Sequence, residues 1–380
     1  MSLYIDRAYP LLEDLKKKSI FLLGPRQTGK SALIHHLLKD IKTYNLLKDE
    51  TFVRLNRQPS RIREELTAKD KFVVIDEIQR LPQLLNEVHV MIEEYGIHFL
   101  LTGSSARKLR RKGVNLLGGR AHIRHLHPLS FMELKKRFQL ERALNYGLLP
   151  SVYLSETPED DLDAYIGLYL REEIAAEGIT RNIPAFSRFL EVAALCNGKM
   201  ISYTNIANDA QVARTTVHEY FEILKDTLIG YELEAWQKTK KRKPIGTSKF
   251  YFFDFGVARM LQNRSVIKRG APEFGEAFES YIFHELKTFA DYHQIKTLNY
   301  WRSHSGFEVD FILADKTAVE VKASKNIVNQ DLKNLQKLKE EKQLKYYLLV
   351  CFENAPRTVE GIQILPYQLF LEKLWDEKFS

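Results

Sequence analysis

Gly24-Pro25-Arg26-Gln27-Thr28-Gly29-Lys30-Ser31 stands between an apolar run at residues 19–23 and a stretch, residues 32–38, whose apolar side chains recur at helical spacing. The order is strand, glycine-bearing loop, helix, and it sets the N-terminal part as an α/β domain of P-loop NTPase type with a parallel sheet. Glycines let backbone N–H groups turn inward around phosphate oxygens. Lys30 is suited to the β- and γ-phosphates, and the Ser31 hydroxyl to magnesium at the positive end of the helix. ATP with magnesium is therefore the expected ligand, held by Gly24, Pro25, Arg26, Gln27, Thr28, Gly29, Lys30 and Ser31.

Working outward, residues 71–75 (Lys-Phe-Val-Val-Ile) form a buried-type strand that ends in Asp76-Glu77. Asp76 is expected to hold the magnesium and Glu77 to orient the attacking water. A third strand at 97–101 ends in Thr102-Gly103-Ser104-Ser105. Parallel topology would deliver Ser104 or Ser105 to the same sheet edge as a γ-phosphate sensor, the alternative being an ordinary Ser/Gly turn. Arg120, after Gly118-Gly119, is a candidate arginine finger acting either in its own subunit or, in a homo-oligomer, in a neighbour's. His122, His125 and His127 resemble a metal cluster only superficially, because alternation along a strand puts just His125 and His127 on one face.

With 380 residues, 44% of them hydrophobic and 28% charged, the chain is long enough for several modules. It has no apolar run of membrane-spanning length and no signal-peptide pattern, so the expectation is a cytoplasmic protein without a membrane partner. Cys196 and Cys351 are far apart in apolar surroundings and are expected to be buried free thiols. A formal net charge of +8 favours a polyanionic partner such as DNA or RNA, the alternative being a spread of solvated lysines.

The middle of the chain opens with an acidic, helix-patterned connector at 158–177. A capped helix at 202–209, a turn at 210–212 and a second helix at 213–224 then give helix-turn-helix spacing. In DNA-binding versions the start of the second helix meets base edges, here Arg214, Thr215, Thr216 and His218. Strands at 229–236 and 249–253 flank the basic turn Lys238-Thr239-Lys240-Lys241-Arg242-Lys243-Pro244, a candidate wing whose Lys240, Lys241 and Arg242 would track a phosphate backbone. The alternative is a packing module with a solvated lysine-rich loop.

Toward the C-terminus a helix carries Glu276, Glu279 and Glu285, and two strands carry Glu308-Val309-Asp310 and Glu320-Val321-Lys322. Alternation puts Glu320 and Lys322 on one face, and a hairpin turn at Asp315-Lys316 brings Asp310 toward Glu320. Carboxylates so placed can hold magnesium that activates water at a phosphodiester, with the lysine positioning the nucleophile. The alternative is a set of structural ion pairs.

These stretches, with Leu101-Thr102-Gly103-Ser104-Ser105, Gly119-Arg120, residues 128–133, Gly147-Leu148-Leu149-Pro150 and residues 249–256, resemble the archaeal-type AAA-like ATPases joined to the C-terminal domain DUF4143. That resemblance implies a P-loop ATPase at 1–155, a helical connector and winged helix at 156–268, and a domain similar to the PD-(D/E)XK nucleases at 269–380. In the last, Glu279 (or Glu276), Asp310 and Glu320 would be metal ligands, with Lys322 catalytic alongside Asp310 and Glu320. Gly147-Leu148 stands where two glycines are common, which leaves a close backbone turn there in question. The functional expectation is an ATP-hydrolysing, DNA-associated protein whose nucleotide state controls a nuclease-like domain. The alternatives are a nucleotide-controlled switch or scaffold with an inactive C-terminal domain, and an ATPase that regulates a partner enzyme through protein contacts.

Overall fold

A computed structural model describes residues 4–67, 69–105, 117–170, 182–264 and 266–379, so the end of the acidic connector expected at 158–177 lies outside the described residues. Two compact units are formed, Met1–Pro128 with Ile223–Ile229 and Leu129–Glu222 with Gly230–Ser380.

The first unit is built on β1 (Ser19–Leu23), β2 (Lys42–Asn45), β3 (Phe72–Asp76), β4 (His98–Gly103) and β5 (Ala121–His125). They lie in the order β2-β3-β4-β1-β5 and every pairing is parallel. Strands in such a sheet are covered on both faces, which is why β1, β3 and β4 read as nearly unbroken apolar runs. Ile20, Phe21, Leu22 and Leu23 are all buried, and each such side chain contributes about 1.5–3 kcal/mol on leaving water. The register aligns Leu23 with Gly103 and Ile75 with Leu101. The residues that follow these strands, Gly24, Glu77 and Ser104, therefore gather at one carboxyl edge. The helix after the phosphate loop spans Lys30–Leu37, beginning at Lys30 itself because Gly29 takes a left-handed φ of 92° as its cap.

The second unit holds the helices Ile183–Leu195 and Tyr203–Ala210, the helix Arg214–Asp226 as far as Glu222, and a small antiparallel sheet of β6 (Lys199–Met200), β7 (Gly230–Leu233) and β8 (Lys249–Phe252), in the order β6-β8-β7. Ser202 caps Tyr203–Ala210 by accepting the Asn205 N–H, and Gln211 turns the chain in a left-handed conformation. Cap and turn fall where the sequence places them.

A six-stranded sheet completes the unit: β9 (Leu298–Arg302), β10 (Glu308–Leu313), β11 (Thr317–Val321), β12 (Tyr346–Cys351), β13 (Arg357–Val359) and β14 (Ile362–Pro366), in the order β13-β14-β12-β11-β10-β9. The β9-β10-β11 part is antiparallel, and β11-β12-β14 is parallel. The parallel crossover from β11 to β12 runs through the helix Asn329–Lys339, as such connections require. The β10-β11 hairpin turns at Ala314-Asp315, both with φ of 55°, one residue earlier than expected. Continuing its register from Phe311 opposite Val319 puts Asp310 opposite Glu320.

Two expectations need correction here. The segment between β7 and β8 does not stand free as a wing. Trp236 N–H donates to Tyr300 O at 2.6 Å, Tyr300 N–H to Glu234 O at 3.1 Å and Ile245 N–H to Arg302 O at 2.8 Å, so the segment covers edge strand β9. The second concerns Gly147, where the backbone approach is close after all: at φ +76° it ends the helix Leu140–Tyr146, and a Cβ there would lie 1.9 Å from Asp254 Oδ1. Gly256 meets the same turn, its would-be Cβ 2.3 Å from the Tyr146 carbonyl carbon. One glycine at 147 suffices because Leu148 only has to present its N–H, which donates to Asp254 at 2.7 Å.

Of the two thiols Cys351 is buried, whereas Cys196 is partly exposed. Among the described residues no helix is long and apolar enough to cross a membrane.

Candidate functional site

At the carboxyl edge of the parallel sheet the phosphate loop is wrapped on its own carbonyls. Lys30 is buried, and its ammonium donates to Gly24 O at 2.6 Å and Pro25 O at 2.9 Å; Thr28 Oγ1 donates to Pro25 O at 2.9 Å. A Cβ on Gly24 would sit 2.4 Å from Leu126 O, so the loop packs against the chain beyond β5 without room for a side chain. Arg26 and Gln27 are exposed, with Gln27 at φ +62°. Arg7 braces the loop from outside by donating to Thr28 O at 2.6 Å and His127 O at 2.5 Å.

Ser31 Oγ donates to Asp76 Oδ2 at 3.2 Å, and Asp76 also accepts from the Thr102 hydroxyl. Two adjacent ligand oxygens on an octahedral magnesium ion are about 2.9 Å apart, so a hydroxyl and a carboxylate at this spacing fit that ion. Glu77 follows in a left-handed conformation at φ +62°, a placement that non-glycine residues adopt at a cost and that is frequent at functional sites. Its N–H donates to Thr102 Oγ1 at 3.2 Å. Burial pushes the Glu77 carboxyl upward while the Lys30 charge pulls it down. Gln79 ties the site together, its amide donating to the Glu77 carboxylate and to Ser104 Oγ at 3.2 Å. Ser104 is thus coupled to Glu77, and Ser105 is buried beside it. Arg7, Gln79 and Thr102 were not singled out in the sequence; Gln79 falls three residues after Asp76, a spacing without a signature of its own.

Arg120 lies elsewhere. It precedes Ala121, which pairs with Ser19 at the start of β1, so it sits at the amino edge of the sheet, about 13 Å of strand from the phosphate loop. There it bonds Glu93. In this arrangement Arg120 is remote from the phosphate loop of its own chain. His125 and His127 meet edge to face at 6.5 Å, and His122 neighbours Arg124.

The C-terminal acids converge in the second unit. Of the three helix glutamates, Glu279 faces the sheet and accepts from Tyr251 Oη at 2.7 Å, whereas Glu276 pairs outward with Arg264 and Lys199. Glu285 is buried away from the cluster, accepting from Phe131 N–H at 2.7 Å and Trp375 Nε1 at 3.1 Å. Asp310 accepts the Val321 N–H at 2.7 Å. Burial, then the Glu320 and Glu279 charges, push its carboxyl well above the ordinary range. Glu320 is 1% exposed; its Oε1 accepts from Lys322 at 2.8 Å and Asn334 at 3.3 Å, and its Oε2 is buried without a hydrogen-bond partner.

Lys249 and Tyr251 carry no role in the sequence reading, and Glu308 enters it only as a neighbour of Asp310. Lys249 is only 4% exposed and lies 2.6 Å from Glu308 and 3.4 Å from Glu279, while Tyr251, two residues on, faces the same way. Glu308 is shared with Arg302 at 2.9 Å. A lysine at a strand start carries no sequence signal for such burial. The donor chemistry, carboxylate oxygens with one orphaned acceptor, fits a hard divalent cation. The arrangement is nevertheless closed: among the described residues no group of three or more His, Cys, Asp or Glu side chains is placed to hold a metal ion.

At the start of the second helix of the helix-turn-helix pair Arg214 and Thr215 are exposed and Thr216 is half-buried, while His218 is exposed but stacks on Tyr203 at 3.6 Å. In the basic segment Lys240 and Lys241 keep exposed side chains and donate only their N–H groups to Glu341, at 2.8 and 2.7 Å. Arg242 pairs instead with Glu340 and, at 3.2 Å, with Glu341.

Phosphate loop, Asp76-Glu77 and five-stranded parallel sheet make up a P-loop module, and a family model described as an AAA domain matches residues 16–135. Two models of domains of unknown function match the remainder, DUF8612 at 137–267 and DUF4143 at 274–370. The AAA and DUF4143 matches agree with the resemblance read from the sequence; DUF8612 was not anticipated. Among particular relatives, the chain is 26% identical over 316 residues to an uncharacterized protein of Mycobacterium tuberculosis, covering 80% of this chain and 70% of the relative. It is 24% identical over 346 residues to one of Methanocaldococcus jannaschii, covering 82% and 76%. Among solved structures it is similar to the Aeropyrum pernix ORC1 protein in complex with DNA, at 14% identity and TM-score 0.29 over 69% of this chain and 94% of that one. It is also similar to replication initiator DnaA bound to AMPPCP and single-stranded DNA, at 13% identity and TM-score 0.28 over 58% and 90%. Scores of this size are too low to establish a shared fold.

Proposed function

We propose that the chain binds and hydrolyses ATP at the phosphate loop, and that nucleotide state acts on a DNA-associated helix-turn-helix and a nuclease-like C-terminal domain. The observation that carries the ATPase reading is the convergence of Lys30, Ser31, Asp76, Glu77 and Ser104 on one sheet edge. On ATP binding Lys30 exchanges the Gly24 and Pro25 carbonyls for phosphate oxygens, and the N–H groups of residues 26–31 take the rest of the charge. Ser31 and Asp76 would hold the magnesium, which neutralises charge on the β- and γ-phosphates. Glu77 accepts a hydrogen bond from the attacking water, and Gln79 reports the γ-phosphate contact at Ser104 back to that carboxylate.

In the C-terminal domain Glu279, Asp310 and Glu320 would hold a divalent cation, which supplies an activated water and Lewis-acid polarisation of a phosphodiester. Lys322 fixes Glu320 and lies ready to position the nucleophile. DNA contact is assigned to Arg214, Thr215 and Thr216 at the helix start and to the free lysines 240 and 241. A second reading, a nucleotide-controlled switch whose C-terminal domain is catalytically inactive, is favoured by the closed ion pairing of the acid cluster. The test is ATP affinity and turnover for wild type, Lys30→Ala and Glu77→Gln. Lys30→Ala should lose ATP binding, and Glu77→Gln should bind ATP while turnover falls about 10²-fold or more. Retained ATP affinity in folded Lys30→Ala would end the proposal.

A further inference from the structure

The acid cluster holds its own cation. Lys249 Nζ sits 2.6 Å from Glu308 Oε1 and 3.4 Å from Glu279 Oε1, and its side chain is 5% exposed. Burial disfavours its charge, yet Glu279, Asp310 and Glu308 hold it above the ordinary lysine range. Four carboxylates, Glu279, Glu308, Asp310 and Glu320, face the three cations Lys249, Lys322 and Arg302. If one divalent cation replaced Lys249, four ionised carboxylates, Lys322, Arg302 and that cation would sum to zero. Glu320 Oε2, buried and without a partner, is a ligand atom already dehydrated and waiting.

We infer that Lys249 is the resident counter-ion of a divalent-cation site formed by Glu279, Asp310 and Glu320, and that a metal enters only as the Lys249 ammonium leaves. The inference rests on the reading of this cluster as a cation site. Lys249 is the first residue of β8, paired with Met200 of β6 and Leu233 of β7. The occupant of the acid cluster is thus delivered by the sheet that accompanies the helix-turn-helix pair. A shift of β8 that withdraws Lys249 would open the cation site, and a cation that binds there would push on β8. The arrangement makes Lys249 a positioning residue that decides when the cluster accepts metal.

The test is Mn²⁺ titration of the full chain without nucleotide, by calorimetry and by thermal shift, for wild type, Lys249→Met and Lys249→Gln, each with and without Glu320→Gln. Removing the ammonium leaves buried carboxylates uncompensated, so both Lys249 variants should melt below wild type without metal. They should bind one Mn²⁺ at least about tenfold more tightly than wild type and recover their melting temperature as it binds. Glu320→Gln should abolish that gain. Equal Mn²⁺ affinity in wild type and the Lys249 variants would overturn the inference and leave the cation site standing. No Mn²⁺ binding by any of them would overturn both the inference and the nuclease-like reading. If both Lys249 variants fail to fold, acylation of Lys249 in wild type, quantified by mass spectrometry, decides: Mn²⁺ should raise it several-fold, and an unchanged yield would overturn the inference.

Discussion

Gly147→Ala should strongly destabilise the second unit, because the glycine is buried against Asp254. Gly147 has φ 76° and ψ −165°, a region that only glycine populates readily, so any Cβ costs about 1–3 kcal/mol in backbone strain. That Cβ would also lie 1.9 Å from Asp254 Oδ1 and 2.6 Å from Oδ2. The Asp254 carboxylate cannot retreat without releasing the Leu148 N–H at 2.7 Å and the Val257 N–H at 3.1 Å, and leaving a buried carboxylate short of donors costs about 1.5–3 kcal/mol. Together these give about 2.5–6 kcal/mol. All three tryptophans, Trp236, Trp301 and Trp375, belong to the second unit, so indole fluorescence in a guanidinium titration reads that unit alone. With a slope of about 5 kcal/mol per molar, the midpoint should fall by roughly 0.5–1.2 M. Adding Asp254→Ala should make the double variant less damaged than the sum of the singles, because the clash has gone. A midpoint shift under about 0.2 M, or simple additivity, would show that Asp254 yields to the added Cβ without loss.

Two other outcomes follow from the same geometry. Glu285 is fully buried, and desolvation, opposed by the Phe131 N–H and the Trp375 indole, raises its carboxyl to about 7. The folded state therefore binds its proton more tightly than the unfolded chain, so its contribution to stability is complete below about pH 4.5 and is lost as pH rises through about 7. Glu285→Gln should flatten the fall in guanidinium midpoint between pH 5 and pH 7, and an undiminished slope would show that Glu285 does not titrate there. Lys240→Ala with Lys241→Ala should weaken DNA binding and reduce the salt slope by about two units, whereas Arg242→Ala should leave that slope alone, because its guanidinium is held by Glu340 and Glu341. Equal loss of slope in both would place Arg242 on the phosphate backbone after all.

What the sequence by itself determined were features that local chemistry enforces. Gly29 before Lys30, the buried run ending in Asp76, the Ser202 cap and the alternation that pairs Glu320 with Lys322 each follow from contacts among near neighbours in the chain, and each is found in place. Strand order and remote partners were not written there. Only parallel register removes Arg120 to the edge opposite the phosphate loop, because two residues of similar appearance can flank opposite ends of one sheet. Only tertiary packing selects Glu279 over Glu276 and Glu285, since all three lie on one helix and which face meets β8 and β10 is a property of the assembled layers. The same packing lays the basic segment along β9, where the unpaired backbone groups of an edge strand attract it. It also buries Lys249 among acids that lie 30 to 61 residues further along the chain, and the tight pairing of those charges in a water-poor interior becomes favourable only once the sheets have brought them together.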